Sequence, residues 1–105
     1  MTMRIIEELV DFVDEEIDGA EEYAKLAVKF KSENPTLAKT YYDISMDELK
    51  HVDLLHAEVV KLIEEHRKNH GEPPASMMAV YDYLHEKHIE EVKEVKMYQA
   101  QFRGV

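Results

Sequence analysis

The sequence predicts an all-α fold, an up-down bundle of three long antiparallel helices, on three observations. Apolar residues recur in alternating three- and four-residue steps along three segments, which places them on one face of a helix in each. Two punctuation points, Asn34-Pro35 and the stretch from Gly71 to Pro74, separate those segments. The chain is 45% apolar with only three Gly and three Pro, which fits a packed helical protein rather than a disordered one.

The first helix is expected from about Thr2 to Lys31, with the stripe Ile6, Leu9, Val13, Glu16, Ala20, Tyr23, Ala27, Phe30. Gly19 falls inside it at about 1 kcal/mol relative to Ala, a cost acceptable where helices approach closely. Asn34 then serves as N-cap, and Pro35 occupies the first helical position, where its missing N–H is not needed. The second helix continues to about Asn69, carrying Ala38, Tyr41, Ser45, Glu48, Val52, Leu55, Val59, Leu62. It ends in the cations His66, Arg67 and Lys68, which suit the negative end of the helix dipole, with Gly71 as a left-handed stop. Pro73-Pro74 opens a third helix that continues to roughly Arg103, with Met77, Tyr81, Leu84, His88, Glu91, Val95, Tyr98, Phe102.

Short connections make successive helices antiparallel neighbours. A chain of 105 residues is one domain, spanning 1–105, with one modest core. The apolar surface exceeds one seam: Ile5, Phe12, Ile17, Tyr42, Leu49, Ile63, Ile89 and Val92 widen the stripes. A homo-oligomer is therefore expected to complete the bundle, with a two-fold dimer the simplest form.

The formal charge of −10 repels nucleic acid and anionic lipid, so neither is expected as a partner. No apolar run approaches the roughly eighteen residues of a membrane span. Arg4 followed by Glu7 and Glu8 does not look like a signal peptide, and a cytoplasmic location is the default expectation. The lack of cysteine excludes disulfides and thiolate metal sites.

Each stripe is interrupted near mid-height by a carboxylate. A carboxylate on a core face is costly unless it is paired, protonated or bound to a cation. Glu16 lies about 22 Å from the end of the first helix and Glu48 about 20 Å from the start of the second, so the two are level across the first hairpin. His51 and Glu91 lie about 27 and 26 Å from the second connection and are likewise level. Glu48-x-x-His51 sets a carboxylate and an imidazole on adjacent turns of one face. With sixteen Glu and six His, about one such spacing arises by chance, so its meaning rests on register rather than on the motif. Glu16, Glu48 and His51, with Glu91 as a further member, are the candidate metal ligands. Hard oxygens with imidazole suit Fe or Mn. His85-x-x-His88 is a lesser candidate for zinc. Asp53-x-x-His56 and Asp82-x-x-His85 fall off the stripes and are expected to be solvated, while His66 and His70 read as ordinary cations at a helix C-terminus. Tyr23 and Tyr98 are expected in the core, or as donors to the ligating carboxylates.

The run Glu16-Ile-Asp-Gly-Ala-Glu-Glu-Tyr23-Ala-Lys-Leu-Ala, with Glu48-Leu-Lys-His51 following, resembles the first helical hairpin of the rubrerythrin branch of ferritin-like proteins. The resemblance covers about residues 5–66. It implies Glu16 as the first-helix ligand and Glu48 and His51 as the second-helix pair, while Glu91-x-x-Glu94 is similar to the paired glutamates of a rubrerythrin third helix. The chain departs from that pattern in having no fourth helix and none of the rubredoxin-type cysteines. Two chains pairing their first hairpins, as in encapsulated ferritins, would restore the ligand count; a mononuclear site with Glu91 is the other repair. The resemblance implies oxidation of Fe(II) by oxygen or peroxide. A different class of function also fits: a metal-free helical interaction module with a degenerate ferritin-like site.

Overall fold

Asn34 ends the first connection by capping. Its Oδ1 accepts from the backbone N–H of Leu37 at 3.2 Å, and Pro35 follows it into the helix. In the computed structural model, which describes residues 2–104, the elements are α1 (Thr2–Phe30), α2 (Pro35–His70) and α3 (Ala75–Arg103), with no strand among the described residues. Gly71 closes α2 at φ +79° and ψ −169°, a backbone region essentially reserved for glycine, and its N–H bonds Arg67 O at 3.1 Å. The three helices form a rod of 55 × 18 × 18 Å.

The α1–α2 seam is built on small residues. Ala20, Ala24 and Ala27 on α1 and Ala38 on α2 are fully buried, so the two backbones approach closely. Val13, Ile17, Val52 and Val95 join Ala20 and Ala24 in the main core, and Ile6, Val59 and Ile63 form a second cluster toward the Gly71 end. The centre of the α1 face is therefore Ile17 and Ala24, a rotation away from the expected Glu16 and Tyr23. Glu16 lies at the edge of the seam, half-buried. Ile17 and Ile63, expected to widen the apolar surface, are satisfied within the chain. Ile5, Phe12 and Ile89 do remain outside, 47, 51 and 42% exposed.

One polar chain crosses the core. Ser45 Oγ donates to Ala20 O at 2.7 Å and accepts from Gln99 Nε2 at 2.9 Å, which links all three helices through buried groups. Gln99, rather than Tyr98, takes the inward position on α3; Tyr98 lies half-buried beside it, with the Lys25 ammonium over its ring. The backbone of α3 runs closer to α1 than to α2, which it meets through side chains at Gln99, His85, Phe102 and Arg103. No described helix is long and apolar enough to cross a membrane.

Candidate metal centre

Glu16 projects from α1 toward α2 because it follows Val13 by three residues, on the shoulder of the buried stripe. Glu48 and His51 project back from the shoulder of α2. One ligand atom from each lies within 4.8 Å of the other two. His51 Nδ1 and Glu16 Oε2 are 3.3 Å apart, a hydrogen bond in the Nδ1–H tautomer. That spacing also suits two ligands held at about 2.1 Å on one ion, so little movement separates the hydrogen bond from joint coordination. Gly19 supports the arrangement: a Cβ there would lie 3.5 Å from Glu48 Oε2, so its bare backbone forms one wall beside the carboxylate.

The electrostatics are those of two carboxyl groups competing for one charge. Glu48 is pushed up to about 7, first by a hydrogen bond shared with Glu16, then by burial and by the Glu16 charge, with His51 opposing. A protonated Glu48 donating to an ionised Glu16 satisfies the pair, and a cation would satisfy it equally. Among the described residues neither carboxylate has a Lys or Arg ion-pair partner. The site opens to solvent on the His51 side, where that ring is 52% exposed.

Glu91 lies elsewhere. Ser45 meets Gln99 and His56 meets His85 across α2 and α3, which brackets residue 91 at the level of His51. Its height thus agrees with the helical rise, but its carboxylate turns toward α1. There it groups with Asp14 and His88 in a second cluster within 4.8 Å. Asp14 was not legible as a candidate because it falls off the apolar stripe; the available signal was the i, i+3 spacing of His88 and Glu91 on one face.

Two of the remaining histidines differ from expectation. His56 and His85 are half-buried and stacked, ring centroids 4.7 Å apart, rather than solvated. Burial, then the neighbouring His85, pulls the His56 imidazole below its usual range. His66 is half-buried, its Nδ1 shielded and without a hydrogen-bond partner among the described residues. Tyr23 packs on the ring of Tyr41 at 5.9 Å rather than donating to a ligand. Compared with known proteins, the chain matches no family model, no curated protein and no solved structure.

Proposed function

We propose that this chain is a ferritin-like metal-binding protein that takes Fe(II) or Mn(II) at Glu16, Glu48 and His51, with a second copy completing the site. The observation that carries this reading is the convergence of two carboxylates and one imidazole from α1 and α2 within 4.8 Å, with no Lys or Arg ion-pair partner for either carboxylate among the described residues. An interaction module that merely tolerates these glutamates would be better served by pairing them with such cations. The donor set, oxygen and nitrogen without thiolate, suits Fe(II) and Mn(II). Fe(II) as substrate would give up an electron there to oxygen or peroxide.

Three ligands are too few for a di-metal carboxylate centre, which uses four carboxylates and two histidines. A two-fold dimer that brings two α1–α2 hairpins together supplies that number. The half-exposed apolar residues Ile5 and Phe12 on α1 offer surface for such pairing.

The test joins stability to association. A ligand that binds only the folded state raises the melting temperature, so Fe(II), kept anaerobic, or Mn(II) should raise it in the wild type and leave Glu48→Ala unchanged. Sedimentation at micromolar concentration should show a dimer that chelator weakens. A melting temperature indifferent to metal would overturn metal binding in favour of a metal-free interaction module. A monomer with and without metal would overturn the shared site.

A further inference from the structure

We infer that Asp14, His88 and Glu91 form a second divalent-cation site, between α1 and α3, suited to a borderline transition-metal ion such as Zn(II). It is separate from the Glu16 cluster in its residues and in the helix pair that builds it.

Three observations carry the inference. First, the geometry matches joint ligation. His88 Nε2 and Asp14 Oδ1 are 3.2 Å apart, the separation of two ligands each about 2.1 Å from one ion, and Glu91 brings its carboxylate within 4.8 Å of both. Second, the imidazole is held in place. His88 is only 8% exposed, packed between α1 and α3 with Nε2 aimed at the carboxylate, so little side-chain freedom is left to lose on binding. Third, Glu91 Oε1 is shielded from solvent and has no hydrogen-bond donor. A buried acceptor without a donor is destabilising, and in this arrangement it draws none from Asp14 or His88. A cation ligated by all three would use it.

Lys87 stands at the mouth of this cluster. Its Nζ lies 3.8 Å from Asp14 Oδ1 and 3.9 Å from Glu91 Oε2, too far for strong hydrogen bonds but well placed to offset two negative charges. Its side chain is 46% exposed, so it can withdraw into water when a divalent ion arrives. Lys87 is thus a competitor of modest strength, the counter-charge of the metal-free state. By the general affinity order Zn(II) binds two carboxylates and an imidazole more tightly than Mn(II) or Fe(II), here as at the α1–α2 cluster with the same donor set, which makes it the stronger probe of either. The consequence of binding is mechanical: the ion ties α3 to α1, the helix whose backbone lies nearer to it.

Titration of the full chain with Zn(II), and with Co(II) as a spectroscopic probe, tests the site. In Glu48→Ala, one ion per chain should still bind and shift the imidazole resonances of His88. His88→Gln should bind one ion fewer per chain than the wild type, and Lys87→Met should tighten that ion several-fold. Asp14→Asn, a nearly isosteric change at a half-exposed position, should show the same loss should His88→Gln fail to fold by circular dichroism. Folded His88→Gln or Asp14→Asn binding as many ions as the wild type would overturn the site, as would a Glu48→Ala protein that binds none. Failure of the α1–α2 centre reads differently: Glu48→Ala would then match the wild type in stoichiometry.

Discussion

Glu48 is the side chain whose protonation state should be easiest to read out. Its folded value of about 7 lies above the ordinary 4.5, so between those two pH values the folded protein holds a proton that the unfolded chain has released. Stability of the metal-free protein from this group is therefore full below about pH 4.5 and declines as pH rises through 7. Glu48→Gln keeps a donor facing Glu16 and cannot ionise. It is expected to flatten this decline, raise the metal-free melting temperature at pH 8 and remove stabilisation by Fe(II) or Mn(II). A variant that melts lower than the wild type at pH 8 would show Glu48 to be a structural partner instead. The same residue shows what was legible in advance. Helical rise fixes height along a bundle, so Glu16, Glu48 and His51 were found from counting residues. Direction around the axis depends on how neighbouring helices roll against each other. That roll placed Ile17 inside and Glu16 at the edge, and it turned Glu91 toward Asp14.

The α1–α2 pair owes its close approach to alanines, and Gly19 continues that small surface to the Glu16, Glu48 and His51 cluster. No special backbone angle requires glycine there, since α1 is regular through it and positive φ occurs only at Gly71 and Gly104 among the described glycines. A methyl group would sit in ordinary contact with Glu48 Oε2 at 3.5 Å. Gly19→Ala should thus gain about 0.5–1 kcal/mol of helix stability and raise the melting temperature by a few degrees. It should retain metal binding, whereas Gly19→Leu, which must displace the carboxylate, should lose it. A destabilised Gly19→Ala would mean that the Glu48 carboxylate does not tolerate an apolar atom beside it. Helix positions themselves were legible, because Asn34-Pro35 and Gly71 act through local chemistry. The inward turn of Gln99 was not, because its reason lies 54 residues away at Ser45.

Taken whole, the molecule is a slender, strongly acidic rod whose third helix is joined in sequence to α2 but runs closer in space to α1. Its formal charge of −10 works against association between copies, so any pairing must rely on apolar contact and on cations that neutralise the glutamates. The all-α architecture was legible from periodicity. The unequal spacing of α3 from its two neighbours was not, since three amphipathic stripes say nothing about which neighbour each prefers. That inequality sets an order of assembly. Contacts such as Asp14 with His88 span 74 residues of chain, against 25 for Ser45 with Ala20, and a longer loop must close before the former can form. The α1–α2 hairpin is then the folding nucleus, and α3 docks last and undocks first. Native-state hydrogen exchange should rank the amides of α3 well below those around Ala20 and Ser45 in protection. Equal protection along all three helices would mean that the rod opens only as a unit.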